Sequence, residues 1–253
     1  MKMTLLEIVQ DILNDMEADE VNSIDDTIEA QQVAQIVKTC YYEMITHRNW
    51  PHTKQLFQFD HVNDLTRPNY LVAPPNLKEL VTFQYEEQKV TDNHIIMKEV
   101  IFKDQETFLR ICNGRNSSKA NVKYVKDTSG VGLLILTDVA PTYWTSFDDK
   151  NIVTDSYDSK SDDTLQSSKT HCIGYMIPEW DRSDDAVPFL PAEAFPALLE
   201  ESKSTAFLAL KQMSNQKAEQ KATRQQKWLS RKAWTLEGRQ RYPDFGRKAR
   251  RGY

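Results

Sequence analysis

The sequence has few of the features that mark a cofactor-binding or secreted protein. Its three cysteines, Cys40, Cys112 and Cys172, are odd in number and too far apart for a disulfide framework or a zinc knuckle. Its seven glycines form neither GxGxxG nor GxxxxGKS/T, so the usual glycine-rich phosphate loops are missing. There is no signal-peptide core and no apolar run near the roughly 18 residues of a membrane span. We expect a soluble protein made in a reducing cytoplasm.

No group of histidines or cysteines has the spacing of a catalytic or metal site. His47 and His52 are separated by the helix break at Pro51, so they cannot share a face as an HExxH pair does. Cys172 follows His171 in a predicted strand, where neighbouring side chains point to opposite faces. His61 and His94 are isolated. We expect surface or packing roles for these residues, with no metal and no cofactor.

Carboxylates are the catalytic possibility that the composition leaves open. A glycoside hydrolase needs two acids roughly 5–10 Å apart across a cleft, and the 37 acids of the chain do not exclude such a pair. The densest group is Glu179, Asp181, Asp184 and Asp185, beside Trp180. We favour a solvated loop for this group and a protein that is not an enzyme.

Charge is distributed unevenly along the chain. Lys221 to Tyr253 contains eleven Lys or Arg against two acids, Glu237 and Asp244, a net +9 that leaves −14 for residues 1–220 of a chain whose total is −5. Surfaces of opposite sign favour head-to-tail association between copies, or docking on an oppositely charged neighbour. The alternative is that both are ordinary solvated faces.

Helices are predicted at both ends of the chain. Thr4 and Glu7 form a capping box before an apolar stripe, which predicts a helix over about 4–18. Asp26 is placed to cap a second helix that ends before Trp50-Pro51. Residues 197–237 lack Pro and Gly and favour one long helix. At about 1.5 Å per residue it would reach roughly 60 Å and project from the body.

Between these helices, seven short runs rich in β-branched and aromatic residues predict antiparallel strands. They lie at 56–59, 80–85, 94–97, 121–126, 133–136, 144–147 and 172–177. One short helix interrupts them, capped by Asp104 and followed by Gly114. The polar, acidic stretch 148–168 is expected to be an exposed loop or hairpin tip.

These elements predict an α+β fold with an antiparallel helical bundle, an inserted antiparallel β domain and an extended C-terminal arm. The bundle would consist of the N-terminal hairpin and the long C-terminal helix. The expected boundaries are 1–54 for the hairpin, 55–190 for the β-rich insertion with one short helix, 191–236 for the long helix that completes the bundle, and 237–253 for the basic-aromatic arm.

The arm and the helix end before it hold the candidate functional residues. They are Lys227, Trp228, Arg231, Lys232, Trp234, Arg239, Arg241, Tyr242, Phe245, Arg247, Lys248, Arg250, Arg251 and Tyr253. Three interpretations stay open: docking on a protein with the aromatic residues as anchors, binding of nucleic-acid phosphates, and a disordered tail. Protein docking is favoured, because no folded nucleic-acid motif is visible.

Segments at both ends of the chain match a known pattern. They are THRNW (46–50), FLPAEAFPALLEESKS (189–204), KAEQK (217–221), RQQKWLSR (224–231) and YPDFGR (242–247), together with SFDDK and DSYDS inside 146–159. These segments resemble the head-to-tail adaptors of tailed bacteriophages, called tail tubular protein A, gatekeeper or adaptor in short-tailed phages. The resemblance extends over most of the chain and includes no catalytic signature.

The resemblance implies a structural virion protein at the head-tail interface, made in the host bacterial cytoplasm. Such proteins form a ring, usually of twelve copies, with a portal protein docked on the C-terminal arms and a tail nozzle of the tail tubular protein B type on the other face. DNA passes through without sequence-specific recognition, and the ring helps to retain the packaged genome. No membrane partner is expected. Two alternatives stay open: a tail-associated peptidoglycan hydrolase and a DNA-binding module.

Overall fold

The computed structural model describes residues 2–87 and 95–236, with the side chains of the last helix described as far as Arg231. Over these residues the fold is α+β, as predicted. The chain divides into two compact units, a β unit from Lys54 to Ile177 and a helical unit built from the chain before and after it. No helix in the described ranges is both long and apolar enough to cross a membrane.

Five helices lie within the described residues: α1 (Leu5–Asp15), α2 (Ile28–His47), α3 (Gln105–Asn113), α4 (Phe195–Lys211) and α5 (Gln216–Leu236). Helix α3 belongs to the β unit and the other four to the helical unit. The Asp104 cap predicted for α3 is confirmed, since its side chain accepts a hydrogen bond from the Thr107 N–H, and Gly114 follows the helix.

The capping box predicted for α1 is confirmed. The Thr4 hydroxyl accepts a hydrogen bond from the Glu7 N–H at 3.2 Å, and Glu7 Oε2 accepts one from the Thr4 N–H at 2.8 Å. These two bonds satisfy N–H groups that have no partner inside the helix. The apolar stripe then fixes which face of α1 turns inward.

The cap predicted for α2 is wrong by one residue. Thr27, rather than Asp26, precedes the helix, and its hydroxyl accepts a hydrogen bond from the Ala30 N–H at 3.1 Å. Asp26 instead accepts hydrogen bonds from the N–H groups of Asn22 and Ser23, both at 2.8 Å. The Asp26 carboxylate therefore stabilises the turn before the helix, and Thr27 caps the helix.

Apolar residues of α1, α2 and α4 share one core in the helical unit. Ile8 and Ile12 of α1, Val37 of α2 and Leu198 of α4 are among its fully buried members. The segment that begins at Pro178 also packs against this core, because Trp180 is one of its partly buried neighbours. The boundary placed at 190/191 by sequence thus falls at 177/178 in the structure.

The long C-terminal helix predicted over 191–236 is wrong. Helix α4 ends at Lys211 and α5 begins at Gln216, with four residues between them. The two helices lie against each other, so the chain turns back rather than projecting as one 60 Å rod. A packing partner for α5 explains the break, because folding back buries residues that a continuous helix would leave in water.

Eleven strands form three sheets among the described residues of the β unit. The strands are β1 (Lys54–Phe57), β2 (Asp60–His61), β3 (Tyr70–Val72), β4 (Leu77–Glu87), β5 (Ile96–Glu99), β6 (Ile101–Phe102), β7 (Val122–Lys126), β8 (Gly132–Leu136), β9 (Tyr143–Thr145), β10 (Asn151–Thr154) and β11 (Thr170–Met176). The sheet orders are β1-β11-β4-β5, β2-β3-β10-β9-β6 and β7-β8. All pairings are antiparallel except β6 with β9. Each of the seven predicted runs overlaps a strand.

The polar stretch 148–168 is not the exposed loop that the sequence predicts. It contains β10, which lies between β3 and β9 in the middle of the five-stranded sheet. Ile152, Val153, Thr154, Asp155 and Ser156 are all buried. Its polar groups have partners inside the fold: the Asn69 side-chain amide donates to the Thr154 carbonyl at 2.7 Å, and the Ser156 hydroxyl donates to the Ala140 carbonyl at 3.1 Å.

Candidate docking surface on the C-terminal helices

The turn between α4 and α5 positions the candidate surface. Gln212 has a left-handed backbone, with φ 53° and ψ 29°, which costs a residue other than glycine about 1 kcal/mol. Asn215 then begins α5, because its side-chain oxygen accepts a hydrogen bond from the Ala218 N–H at 3.1 Å. Residues 212–215 therefore reverse the chain without a proline or a glycine.

A narrow seam holds α5 against the rest of the helical unit. Ala218, Ala222 and Leu229 are its buried apolar residues, spaced by four and seven positions so that they lie on one side of the helix. Two polar contacts reach α4: Lys221 Nζ lies 2.8 Å from Glu200 Oε1, and the Gln226 amide donates to Glu201 Oε2 at 3.3 Å. A seam this narrow leaves most of α5 in contact with solvent.

A basic face occupies another side of α5. We define it as Lys217, Lys221, Arg224, Lys227, Trp228 and Arg231, all exposed. At 3.6 residues per turn these positions lie away from the seam and extend over about 21 Å. Trp228 is 47% exposed near the C-terminal end of the face. Glu219, the acid of α5, lies on a different side, so the face carries cations and one large aromatic ring.

The N-terminal part of the helical unit has the opposite sign. Residues 2–53 contain ten acids against three Lys or Arg. The basic face of α5 and this acidic region therefore belong to one compact unit. Residues 2–53 and α5 are distant in sequence and opposite in charge. In the fold they give one unit an acidic region and a basic face.

One groove lies against the basic face. It has a volume of about 440 Å³ and is lined by Glu193, Arg224, Gln225 and Trp228. Because the Trp228 ring is large and partly exposed beside an arginine, the groove has the composition of a protein-docking anchor.

A second groove separates the C-terminal half of α2 from α5. Its volume is about 630 Å³, and its lining includes the buried residues Cys40, Met44 and Trp50 together with Glu201 and Lys227. The Trp50 indole N–H donates to the Met44 carbonyl at 2.7 Å, which fixes the ring. Both signs of charge line this groove, so it lacks the single sign of the basic face.

Glu201 has an unusual electrostatic environment. Its carboxylate lies in this second groove, where burial raises its pKa and the charges of Glu43 and Glu219 raise it further. The three acids come from α4, α2 and α5, so each helix brings one negative charge toward the same place. The attachment of α5 should therefore become more favourable when Glu201 is protonated.

Lys203 connects α4 to α1. Its ammonium lies 2.6 Å from Asp15 Oδ2 and 2.9 Å from Asp11 Oδ2, with most of its side chain buried. Burial alone would lower the pKa of Lys203, but the two carboxylates outweigh it and raise the pKa. Most of the Lys203 side chain is buried, unlike the exposed cations of the basic face.

The structure describes part of the predicted docking arm. Lys227, Trp228 and Arg231 lie together on the basic face of α5. Lys232 and Trp234 fall in the last turns of α5, where side chains are outside the description. The predicted residues Arg239, Arg241, Tyr242, Phe245, Arg247, Lys248, Arg250, Arg251 and Tyr253 lie outside the described residues. Lys217, Lys221 and Arg224 join the face although the predicted docking arm did not include them. Lys221 and Arg224 belonged to the phosphate-binding alternative, and helical spacing was the available signal for Lys217.

The three cysteines are all buried, and the predicted surface or packing role of His94 lies outside the described residues. Cys172 is buried and His171 is exposed on the same strand, so their side chains do face opposite ways. Burial raises the pKa of the Cys172 thiol to about 12, which disfavours a nucleophilic thiolate. Within the described ranges, no three His, Cys, Asp or Glu residues are placed to hold a metal ion.

The acidic group at 179–185 has structural partners in the helical unit. Asp184 Oδ1 accepts a hydrogen bond from the Ile24 N–H at 2.9 Å, and the Asp184 carbonyl accepts one from the Leu6 N–H at 3.2 Å. Asp181 accepts hydrogen bonds from Ser183. Glu179, Asp181 and Asp185 are exposed in a segment without helix or strand, as the predicted solvated loop requires. The contacts of Asp184 connect this loop to α1 and to the turn before α2.

Sequence reasoning missed a buried ion pair in the β unit. Arg115 Nη2 lies 2.6 Å from Asp155 Oδ2, and Arg115 also donates to the Leu134 carbonyl at 3.1 Å. The other Asp155 oxygen accepts hydrogen bonds from the N–H groups of Thr142 and Tyr143. The pair joins the end of α3 to β8, β9 and the residue after β10. No local sequence pattern predicts this structural role, because Arg115 and Asp155 are 40 positions apart.

Neither the comparison with protein-family models nor the comparison with curated proteins gives a match to this chain.

Proposed function

We propose that this protein is a structural head-tail connector of a short-tailed bacteriophage, assembled as a ring, for which the resemblance implies twelve copies. In this proposal the helices of the helical unit form a bundle, and the basic face of α5 leads into the arm 237–253, which docks on the portal protein. The opposite side of the ring receives the tail nozzle, and DNA passes through the centre. The protein acts without catalysis, at the head-tail interface of the virion.

The observation that carries this proposal is the basic face of α5 on an otherwise acidic helical unit. Trp228 is exposed there among five cations and beside a groove of about 440 Å³. Tryptophan and arginine are the residues most enriched in the energetic centres of protein interfaces. A surface of this composition, followed directly by a segment with six more Lys or Arg and three aromatic residues after Leu236, fits an acidic protein partner. Together with the resemblance it supports portal docking.

Deletion of Leu236 to Tyr253 tests this function. The deletion removes the whole arm 237–253 and leaves the seam residues of α5, so the truncated protein should stay folded by circular dichroism. It should no longer bind purified portal rings in a sedimentation assay. Tyr124→Ser, on an exposed residue of the β unit, is the control that should bind normally. Undiminished portal binding by the truncated protein would eliminate the docking role.

Two assays separate the connector from the alternatives. A zymogram over a range of pH should show no peptidoglycan cleavage, and lysis by the purified protein would instead identify an enzyme. A DNA-binding module should bind duplex DNA with an affinity that falls steeply as salt rises. For the connector we expect no stable DNA complex at physiological salt, since DNA must slide through the ring.

A further inference from the structure

The helical unit has a preformed acidic groove on α1. The groove has a volume of about 820 Å³ and lies between α1 and the turn at Ala18 to Asn22. Its lining includes four carboxylates, Glu7, Asp11, Asp19 and Glu20, and none of the described residues that line it is Lys, Arg or His. We call this feature the acidic groove.

The acidic groove has an apolar, ordered floor. Leu13 and Val21 line it and are almost completely buried. The Gln10 side-chain amide donates to the Val21 carbonyl at 2.8 Å, which ties the turn to the helix. A rigid concave surface of one sign, with apolar residues at its base, is suited to an elongated cationic partner that also buries some apolar area.

The basic face of α5 has the complementary properties. Lys217, Lys221 and Arg224 project from successive turns at its N-terminal end, and Trp228 adds an exposed ring next to them. The face extends over about 21 Å of a single straight element. It therefore offers a convex row of cations where the acidic groove offers a concave row of carboxylates.

Within one copy the acidic groove does not hold α5. Every described residue that lines the groove belongs to segment 3–22. Helix α5 is held elsewhere, on α4, by its buried seam and by the Lys221–Glu200 pair at 2.8 Å. Two complementary surfaces that lie apart on one copy can meet only between copies. Where each copy engages two different neighbours through them, the contact is heterologous and propagates from copy to copy.

We propose that the N-terminal half of the basic face, Lys217 to Arg224, docks in the acidic groove of a second copy of this chain. Each copy gives its α5 to one neighbour and receives the α5 of another in its groove. The inference rests on the proposed ring, because it names the surfaces that join its copies. It leaves Lys227 and the residues after it to the docking arm.

Two charge-reversed variants test the contact. The groove variant is Asp19→Lys with Glu20→Lys, which leaves the capping-box Glu7 and the Lys203 partner Asp11 intact. The helix variant is Lys217→Glu with Arg224→Glu, which leaves the seam and the predicted arm residues intact. All four positions are exposed, so circular dichroism and thermal unfolding should match the parent protein. Lys160→Glu with Lys126→Glu, on exposed residues of the β unit, is the control with a charge change of the same size as the helix variant.

Analytical ultracentrifugation across a concentration series measures self-association. The parent protein should associate in about 0.1 M NaCl and dissociate as salt rises toward about 1 M, because the Debye length falls from about 10 to about 3 Å. Each reversed variant alone should associate at least about tenfold more weakly. An equimolar mixture of the two should recover association, because the unchanged acidic groove of the helix variant then meets the unchanged basic helix of the groove variant. The lysines introduced in one groove also meet the glutamates introduced in the other helix. The control should behave like the parent protein.

Three results would overturn the contact: a parent protein that stays monomeric at low salt, single variants that associate normally, or a mixture that stays dissociated. Loss of duplex DNA binding in the helix variant, with self-association unchanged, would assign these cations to nucleic acid and also refute the contact. Portal sedimentation of the same variants keeps the two proposals distinguishable. If the arm deletion abolishes portal binding while charge reversal leaves association intact, the contact fails and the proposed function stands.

Discussion

The strongest quantitative prediction concerns the seam that holds α5. Leu229 is buried with 4% exposure, and the other buried apolar residues of the described part of α5 are two alanines. Replacing Leu229 by Ala removes about 2 kcal/mol of apolar burial. Because the seam is so narrow, we expect this loss to act on the attachment of α5 more than on the whole helical unit, and to raise the population with α5 detached about 30-fold.

Native-state hydrogen exchange followed by mass spectrometry measures this effect. In Leu229→Ala the exchange protection of α5 peptides should fall about 30-fold, whereas peptides of α1 and α2 should change little. Gln220→Ala, on an exposed side of the same helix, is the matched control and should leave the protection of α5 unchanged or slightly increased. Equal loss of protection in α1, α2 and α5 would refute the reasoning, since it would mean that α5 unfolds only with the whole unit.

Three further predictions concern single contacts. Thr4→Ala removes the capping box of α1 and should lower the unfolding free energy by about 1 kcal/mol in urea denaturation, whereas no change would mean that the cap is replaced by water. Tyr70→Phe removes the hydroxyl that donates to Asp127 Oδ1 at 2.6 Å and should cost about 2 kcal/mol. Burial raises the pKa of Asp127, but the Tyr70 and Ser129 hydrogen bonds outweigh it and lower the pKa, so this cost should shrink as acid protonates Asp127. An equal cost at all pH values would contradict this coupling. The raised pKa of Glu201 means that the folded state binds a proton more tightly than the unfolded state, so its stability relative to the unfolded state rises as pH falls through that pKa. Glu201→Gln should therefore have a higher thermal midpoint than the parent protein at pH 7, with the difference shrinking toward pH 4, and a lower midpoint at pH 7 would refute the assignment.

The candidate surface was partly visible in the sequence. The basic composition after Lys221 and the aromatic residues among the cations drew attention to the C-terminal quarter, and Trp228 and Arg231 do lie on one face of α5. The predicted docking arm began at Lys227, and Lys221 and Arg224 entered only the alternative of phosphate binding along a helix. Lys217 was missed, because it lies before the strongly basic segment that begins at Lys221. The acidic groove was not predictable, since it requires the turn at Ala18 to Asn22 to fold against α1.

Local sequence determined the elements whose stabilising contacts are themselves local. The capping box of α1, the apolar stripe of α2 and the Asp104 cap depend on residues a few positions apart, so pattern and structure agree. The seven strand runs were predicted from their local composition, although their pairing joins distant residues such as Lys54 and Tyr175. The acidic stretch 148–168 and the C-terminal helices behaved differently. Strand β10 is buried because it pairs with β3, Asn69 donates to its Thr154 carbonyl, and Arg115 pairs with the next residue, Asp155. These partners are distant in sequence.

The division of the C-terminal segment into α4 and α5 was likewise decided by tertiary structure. Its residues favour helix almost throughout, and the cap at Asn215 is the only local sign of a break in the described segment. A continuous helix would satisfy its own backbone but would leave Ala218, Ala222 and Leu229 in water, whereas the turn at Gln212 lets them pack. Sequence alone therefore determined that this segment is helical and basic. Burial of Ala218, Ala222 and Leu229 against residues distant in sequence decided where the segment turns. The position of the turn then decided which of its cations share a surface.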